Sequence, residues 1–387
     1  MSILVVTQNF LPAKGGTITW VVHTYGRYYQ QQSVFAVGEH TEAHQIDAAL
    51  PFTVERLPMQ FGNWDPMNLM ALRGYVDTTC RILQLTRRYS ARQLHVVRVL
   101  PEGLVALCVK WIAKVPYLLY AHGEEIQTGL TSRKFRWLIP QIYKGAFAII
   151  ANSRNTKCLV EGLGIPERKI HVIHPGVDTA EFCDAEQAGM AVRRRHGIEI
   201  GPVLLTVGRL QRRKGQDMVI RTLPTIKKTF PFVRYLIVGT GEEEAFLKQL
   251  AREHAVSEHV IFAGRVEDAE LKGYYAACDI FVMPNRQIGE DIEGFGIVYL
   301  EASAMGKPVI GGKSGGTEDA ILDGVTGIRV DGHDVHAVTD ALLTLLRDAS
   351  MRKTMGQQGR HWVEREFSWG KTFENTYQVF ARGAENT

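Results

Sequence analysis

Short apolar runs alternate with longer amphipathic stretches along most of the chain. A first series of apolar runs lies at residues 3–6, 34–37, 94–99, 117–121, 147–151 and 171–173. A second series lies at residues 203–207, 234–238, 260–263, 280–283 and 308–310. Between the runs, segments such as 217–230 and 242–255 carry apolar residues at helical spacing. Val-, Ile- and Leu-rich runs that alternate with helices predict parallel strands covered on both faces.

A polar segment at residues 178–199, with three consecutive arginines, separates the two series. The chain of 387 residues is also too long for one ordinary hydrophobic core. We therefore predict two α/β domains, divided near residue 180, that face each other across a cleft. Ligands of such domains bind at the carboxyl ends of the strands, which here would line the cleft.

The composition narrows the class of protein. Apolar residues make up 45% and charged residues 22% of the chain, as in a soluble globular enzyme. Because 45 Lys and Arg are nearly matched by 41 acidic residues, nucleic acid is not an expected partner. The five cysteines are scattered, and none of their spacings fits a metal site, so we expect no metal, no cofactor and a reduced cytoplasmic compartment. There is no recognisable signal segment, and no apolar run reaches the roughly 18 residues of a membrane span.

The most informative motif surrounds two glutamates, Glu293 and Glu301. Between them, Gly294-Phe295-Gly296 forms a turn that leads through Ile297 into an apolar helix. Glycines let a backbone approach a ligand closely, free N–H groups at a helix start donate hydrogen bonds, and carboxylates accept them from sugar hydroxyls. The alternative is a capped helix whose glutamates are merely solvated. The glycines and the glycine-rich loop at residues 311–316 favour a ligand site.

Three further motifs follow predicted strands. Arg209 and Lys214 lie after the first strand of the second series and could clamp a diphosphate, although an ordinary basic loop is equally compatible. Gly15 and Gly16 after the first strand suit a phosphate contact but are weak evidence alone. His122 follows another strand and could contact a donor, whereas most single histidines are structural. Because no Walker motif occurs and no Gly-x-Gly-x-x-Gly follows the first strand, ATPase and nicotinamide chemistry lose support.

Together these motifs resemble family 4 of the retaining glycosyltransferases, which have the GT-B architecture. The resemblance extends from about residue 2 to about residue 370. It matches the family's carboxylate pair to Glu293 and Glu301, its phosphate-binding pair to Arg209 and Lys214, its glycine loop to Gly15 and Gly16, and its active-site histidine to His122. It also implies that a last helix, residues 369–387 here, returns to an acceptor domain of residues 1–180, leaving residues 181–368 as the donor domain.

The resemblance implies a role for each motif. Glu301 would bind the ribose of a nucleotide-sugar, and Glu293 with the backbone of Gly294, Phe295, Gly296 and Ile297 would hold the transferred sugar. Arg209 and Lys214 would neutralise the leaving diphosphate, His122 would contact the sugar, and Val266 would contact the base. Attack on the same face, with the leaving phosphate accepting the acceptor's proton, would retain the anomeric configuration. Asp291 is a candidate nucleophile, but a solvated loop residue is the favoured interpretation.

Within the family, the segment 291–304 is most similar to the phosphatidylinositol-mannoside mannosyltransferase branch, which implies GDP-mannose as donor and a lipid-linked or glycan acceptor. The unusual loop 285–291 leaves a UDP-sugar donor open. Segment 131–137, with Arg133, Lys134, Arg136 and Trp137, could rest on anionic lipid on the inner face of the membrane, although a solvated helix face is favoured. A nucleotide-sugar epimerase and a non-catalytic binding module are the competing hypotheses, and the intact motifs argue against both.

Overall fold

The computed structural model describes residues 2–13, 15–27, 29, 32–41, 43–62, 64–65, 67–130, 132–183 and 185–385, without the side chains of Thr128, Arg133 and 382–385. These residues form two compact units. The first unit comprises the chain up to Gly176 together with the residues from Trp369 onward, and the second unit comprises Val177–Ser368.

The first unit is built around a parallel sheet. Its strands are β1 (Ile3–Thr7), β2 (Ser33–Gly38), β3 (Thr53–Leu57), β4 (Gln93–Val96), β5 (Tyr117–Ala121), β6 (Ala148–Ala151) and β7 (Ile170–Val172). Their order in the sheet is β3-β2-β1-β4-β5-β6-β7. The helices are α1 (Gly16–Val21, continued by a π-helical segment, Val22–Arg27), α2 (Ala43–Ala49), α3 (Leu69–Arg88), α4 (Leu104–Ala113), α5 (Glu124–Leu130), α6 (Arg133–Gly145) and α7 (Arg154–Glu161).

The second unit repeats this architecture. Its strands are β8 (Val203–Val207), β9 (Arg234–Val238), β10 (Val260–Gly264), β11 (Ile280–Met283), β12 (Val309–Gly312) and β13 (Gly327–Val330), in the order β10-β9-β8-β11-β12-β13. All pairings within both sheets are parallel. The helices are α8 (Glu186–Arg195), α9 (Gln216–Thr229), α10 (Glu244–Glu253), α11 (Asp268–Ala277), α12 (Ile297–Ala304), α13 (Thr317–Ala320), α14 (Val335–Arg347) and α15 (Ala349–Glu366).

The last helix, α16 (Trp369–Glu385), belongs to the first unit. Trp369 stacks on His23 with ring centroids 4.7 Å apart, and Phe380 lies edge-on to His95 at 5.0 Å. The Thr372 hydroxyl donates to the carbonyl of His174 at 2.9 Å. Phe380 is buried whereas Tyr377 is about half exposed, so α16 packs against the first unit through the side that carries Phe380. The predicted α/β class and the return of the last helix are confirmed.

The two cores follow from the apolar runs. Each central strand is buried along its whole length, and the helices cover both faces of each sheet with apolar side chains. No helix in the described part of the chain is long and apolar enough to cross a membrane.

Candidate functional site

The candidate site of the second unit lies where its strand order reverses. Strands β8 and β11 are neighbours in the sheet, yet β9 and β10 come between them in the chain. The loop after β8 carries Arg209 and Lys214, and the segment after β11 carries Glu293. In open parallel sheets the carboxyl ends of two such strands border a crevice, and ligands bind there.

The structure brings Lys214 and Glu293 into direct contact. The Lys214 ammonium donates to Glu293 Oε2 at 2.6 Å, and Arg213 Nη1 donates to the same oxygen at 2.5 Å. All three side chains are buried. Arg213 also forms an ion pair with Asp291, with 2.9 Å between Nε and Oδ1. The site therefore contains a network of two cations and two carboxylates, and its buried charges are compensated by their partners.

The network fixes the ionisation of Glu293. Burial alone would raise the pKa of this carboxyl, but the Lys214 and Arg213 charges outweigh burial and hold the pKa below its ordinary value. Burial lowers the pKa of Lys214, and the nearby Arg213 and Arg209 charges act in the same direction, while Glu293 opposes them. Glu293 is consequently a carboxylate at neutral pH, able to accept hydrogen bonds from hydroxyl groups.

The backbone around Glu293 is held by the glycine-rich loop after β12. The amide of Gly316 donates to the Glu293 carbonyl at 2.9 Å. A Cβ atom at Gly315, whose φ is +67°, would come within 2.1 Å of that carbonyl, and a Cβ at Gly316 would come within 2.0 Å of the Gly294 carbonyl. Only glycine fits at these two positions, because any larger residue would displace the Glu293–Gly294 segment.

The side chain of Asn285 links helix α12 to the glycine-rich loop after β12. Its Oδ1 accepts hydrogen bonds from the Tyr299 hydroxyl at 2.7 Å, the Gly312 amide at 2.9 Å and the Thr317 hydroxyl at 3.1 Å, and its Nδ2 donates to the carbonyl of Ser314 at 2.9 Å. The side chain is fully buried. A buried amide that forms four hydrogen bonds makes its surroundings rigid, so Asn285 holds helix α12 and the glycine-rich loop in fixed positions.

A second buried ion pair supports the loop on its other side. Arg286 Nη2 donates to both carboxylate oxygens of Asp217, at 2.8 and 3.0 Å. The backbone amide of Arg286 donates to the carbonyl of Arg213 at 2.8 Å. The unusual Arg286 thus anchors the segment after β11 to helix α9 and to the loop after β8.

Glu301 lies in helix α12, which begins after Gly296. Gly296 adopts a left-handed conformation with φ +87°, which favours glycine at this helix start. The Tyr275 hydroxyl donates to Glu301 Oε2 at 2.5 Å. Burial raises the pKa of Glu301 to about 6, although the Tyr275 hydrogen bond opposes this rise. Glu301 and Glu293 therefore differ in environment: Glu301 is bonded to a neutral hydroxyl, and Glu293 is bonded to two cations.

The remaining predicted residues of this unit lie at the same edge of the sheet. Arg209 follows β8 directly and is exposed to solvent, and its charge acts on the pKa of Lys214. Val266 follows β10, is half-buried and packs against the core. Phe295 is buried in the same core, and Ile297 opens helix α12.

In the first unit, Gly15 ends the turn between β1 and α1 and Gly16 begins α1; both are exposed, and Lys14 beside them lies outside the described residues. His122 follows β5. Its backbone amide donates to Glu125 Oε1 at 2.7 Å, its Nε2 donates to the Val97 carbonyl at 3.0 Å, and its own carbonyl accepts from Asn152 Nδ2 at 3.1 Å. Burial lowers the pKa of His122 to about 3, so the imidazole is neutral with Nδ1 as its acceptor nitrogen.

Sequence patterns did not reveal four of these residues: Arg213, Tyr275, Asn285 and Asp217. Arg213 was beside a predicted residue, but nothing local distinguishes it from Arg212, which stacks on Phe246 instead. The other three act through partners far away in the chain. Among the described residues, no group of three or more His, Cys, Asp or Glu side chains is arranged to hold a metal ion.

Two families of known sequences match the two halves of the chain. The description "Glycosyltransferase Family 4" matches residues 10–181, and "Glycosyl transferases group 1" matches residues 191–362. A GDP-mannose-dependent alpha-(1-6)-phosphatidylinositol monomannoside mannosyltransferase of Mycobacterium tuberculosis is 31% identical over 373 residues, which is 95% of this chain and 94% of the relative. The chain belongs to glycosyltransferase family 4. The resemblance stated from the motifs is confirmed, and this glycosyltransferase lies in the branch of the phosphatidylinositol-mannoside mannosyltransferases.

Other relatives match over shorter lengths. The enzyme of the same name from Mycolicibacterium smegmatis is 39% identical over 250 residues, 64% of this glycosyltransferase and 65% of the relative, so the match spans less than two thirds of that protein. A D-inositol 3-phosphate glycosyltransferase of Kribbella flavida is 33% identical over 257 residues, 63% of this chain and 58% of the relative.

Solved structures share the GT-B fold. Anabaena HepE in complex with UDP-glucose superimposes with a TM-score of 0.84 at 19% identity, covering 99% of this chain and 100% of the other. Sucrose-phosphate synthase from Thermosynechococcus elongatus superimposes with a TM-score of 0.78 at 19% identity, covering all of both chains.

Proposed function

We propose that this glycosyltransferase moves a mannosyl group from GDP-mannose to an inositol-phosphate glycolipid, with retention at the anomeric carbon. The observation that carries the proposal is the ionised Glu293 held between Lys214 and Arg213 at the strand-order reversal. The names of the Mycobacterium tuberculosis and Mycolicibacterium smegmatis relatives support the donor and the acceptor. A nucleotide-sugar bound there would place hydroxyl groups against carboxylates and phosphates against cations.

In this proposal Glu301 accepts hydrogen bonds from the ribose hydroxyls, and Glu293 accepts them from the transferred sugar. The backbone amides at Gly294–Ile297 donate to the sugar oxygens, because the first N–H groups of helix α12 lack intrahelical partners. Val266 contacts the base through its backbone.

Arg209 and Lys214 would stabilise the diphosphate as it leaves. Negative charge grows on the leaving phosphate in the transition state, so these cations raise the rate as well as the affinity. Lys214 is already oriented by Glu293 before any ligand arrives, which keeps the reorganisation small. For Gly15 and Gly16 the proposal keeps the phosphate contact, and for His122 the sugar contact, that the family resemblance implies.

Retention would follow from attack on the face that the diphosphate leaves. The acceptor hydroxyl transfers its proton to the leaving phosphate oxygen while the new glycosidic bond forms and the bond to the diphosphate breaks. Asp291 is paired with Arg213 at 2.9 Å, so we assign it to the ion network and not to covalent catalysis.

The experiment uses the full chain, GDP-mannose and phosphatidylinositol monomannoside in mixed micelles, with UDP-glucose as the competing donor. Because GDP-mannose is an α-glycoside, NMR of the product should show an α linkage. Transfer from UDP-glucose alone, or a β-linked product, would overturn the proposal. Release of an epimerised nucleotide-sugar without acceptor would support the epimerase hypothesis instead.

A lipid acceptor requires access to a membrane surface, and one exposed patch of the first unit supports this. Trp137 of α6 is 71% exposed, and the start of α3 also presents exposed apolar side chains, namely Met67, Leu69 and Met70. Lys134 and Asp65, paired at 2.7 Å, join the two segments. Helices that connect parallel strands begin at the carboxyl edge of the sheet, which is also the edge of His122.

We propose that this patch, with the exposed cations Lys134 and Arg136, rests on anionic lipid. Trp137→Ala should reduce binding to phosphatidylglycerol vesicles severalfold. Trp111→Ala is the matched control. Trp111 is 63% exposed, but it lies near the carboxyl-terminal end of α4 and therefore at the amino edge of the sheet. Equal binding by both variants would contradict the proposal.

A further inference from the structure

The first unit has its own strand-order reversal, between β1 and β4. Arg98 lies directly beyond β4 at this point, and its side chain is half-buried between the buried Val97 and Val99. The proposed donor chemistry gives Arg98 no role. Since ligands of open parallel sheets bind in the crevice at such a reversal, Arg98 stands where a ligand of the first unit is expected.

Arg98 differs from other arginines of the same unit in its partners. Arg56 donates to both oxygens of Asp47, at 2.7 and 2.9 Å, and Arg88 pairs with Glu55 at 3.2 Å. Within the described part of the chain, the Arg98 guanidinium forms neither an ion pair nor a side-chain hydrogen bond. A half-buried cation without a counter-ion is an unfavourable arrangement unless water or an anionic ligand occupies the position.

The acidic groups closest to Arg98 are engaged elsewhere. Glu102 is buried and accepts from the backbone amide of Gln8 at 2.6 Å, and Glu125 accepts from the backbone amide of His122 at 2.7 Å. Burial raises the pKa of Glu102 to about 7 and also raises the pKa of Glu125, while the Arg98 charge opposes both rises. The Arg98 charge therefore acts on both carboxyls, but among the described residues neither carboxyl forms an ion pair with its guanidinium, whose donors stay available.

His122 is the other group near Arg98. Its ring donates to the carbonyl of Val97, the residue that precedes Arg98, at 3.0 Å. The imidazole is neutral, so it contributes no second positive charge. Gly15, Arg98 and His122 follow the neighbouring strands β1, β4 and β5, so the carboxyl edge of the sheet carries a glycine turn, one guanidinium and one neutral imidazole. A planar guanidinium recognises phosphate by two parallel hydrogen bonds, which makes a phosphate ester the best-matched ligand.

We propose that Arg98 binds the phosphate group of the acceptor and holds the acceptor polyol beside His122. The inference rests on the proposed transfer to an inositol-phosphate acceptor and adds the residue that selects this acceptor. The phosphate could be the diester of a lipid headgroup or the monoester of a free polyol phosphate, and Arg98 would bind unesterified phosphate oxygens in either.

The test measures acceptor binding to the full chain by calorimetry in the presence of saturating GDP, which occupies the phosphate contacts of the donor site. The probes are myo-inositol 1-phosphate, myo-inositol without phosphate, and phosphatidylinositol in mixed micelles. The variants are Arg98→Ala and Arg98→Lys. Arg92→Ala is the matched control, since Arg92 is exposed and precedes β4 at the opposite edge of the sheet.

Wild-type protein should bind the phosphorylated probes but not myo-inositol. Arg98→Ala should weaken that binding about tenfold or more, as expected for a lost charge-assisted contact, while Arg98→Lys retains part of it. GDP affinity should be the same in all variants, and Arg92→Ala should match the wild type. Binding of the micelle probe alone by the wild type, weakened in Arg98→Ala, would identify the lipid headgroup as the source of the phosphate.

Unchanged binding by Arg98→Ala, equal binding of phosphorylated and unphosphorylated inositol, or no binding of any probe by the wild type would each overturn the inference. A parallel loss of GDP affinity in Arg98→Ala would also overturn it, by placing Arg98 in the donor site. Wild-type protein that binds GDP-mannose but no acceptor probe would overturn this inference alone, whereas wild-type protein that does not bind GDP-mannose would overturn the donor proposal.

Discussion

The strand-order reversals of the two sheets have the same topology but differ in how their positive charges are paired. At the reversal of the second sheet, Lys214 and Arg213 are already paired with Glu293, at 2.6 and 2.5 Å. At the reversal of the first sheet, a neutral His122 accompanies Arg98, which has no ion-pair partner among the described residues. The second edge is thus organised before a ligand arrives, whereas the first edge has a charge for the ligand to neutralise. We infer that one repeated architecture serves donor and acceptor by different electrostatic arrangements.

The largest expected effect comes from removing the paired lysine. Lys214→Ala should lower turnover about 10²- to 10³-fold, because a preorganised positive charge at the leaving phosphate is lost. Steady-state kinetics with GDP-mannose measure this effect. Arg212→Ala is the control, since Arg212 is two residues away but stacks on Phe246 with its guanidinium 3.9 Å from the ring centroid. Equal turnover rates for the two variants would contradict the assignment of Lys214 to the donor site.

The second-largest effect is expected at Glu301, which we propose accepts hydrogen bonds from the ribose hydroxyls of the donor. Glu301→Ala should raise the KM for the donor about tenfold to a hundredfold, because hydrogen bonds to a charged group are lost. Tyr275→Phe should cause a smaller rise, since it removes only the hydroxyl that orients Glu301. A donor KM unchanged in Glu301→Ala would contradict the assignment.

A smaller effect on stability is expected from Arg213→Met, which leaves Glu293 buried with one cation. The free energy of unfolding should fall by about 1–3 kcal/mol in urea denaturation. Because the pKa of Glu293 is lowered in the folded state, the stabilisation by ionised Glu293 is present above its ordinary pKa and decreases as the pH falls through the lowered value. The difference between wild type and variant should therefore shrink in acid. A variant as stable as the wild type at pH 7 would show that Lys214 alone compensates Glu293.

The smallest effect is a pH dependence of donor affinity. Glu301 has a pKa of about 6, so it is ionised at pH 7.5 and mostly protonated at pH 5. A protonated carboxyl accepts hydrogen bonds less well, and GDP affinity should fall severalfold between these values. Glu301→Gln should abolish the decrease, and a decrease that persists in this variant would assign it to another group.

The sequence predicted the central strands of both sheets because both faces of these strands are buried, which produces continuous apolar runs. It did not predict β3 and β13, which are edge strands. Thr53-Val54-Glu55-Arg56-Leu57 is only partly buried, and Gly327–Val330 is short and contains an arginine. β7 and β10 are edge strands too, yet their apolar residues predicted them. Edge position alone does not hide a strand: the polar residues of β3, and the glycine and arginine of β13, make these two patterns resemble those of loops.

The sequence also predicted only part of the candidate site. The glycine turn and the two glutamates form a local motif, and local motifs are visible in a sequence. The pairing of Glu293 with Arg213 joins residues 80 positions apart, and that of Glu301 with Tyr275 joins residues 26 positions apart. Such contacts depend on how parallel strands bring distant loops to one edge, which no local pattern encodes.

Calorimetric titration of the full chain with GDP-mannose and with UDP-glucose tests the donor proposal most directly. GDP-mannose should bind at least tenfold more tightly than UDP-glucose, and Lys214→Ala should weaken the binding of GDP-mannose. Tighter binding of UDP-glucose, or the same affinity for GDP-mannose in wild type and Lys214→Ala, would contradict it.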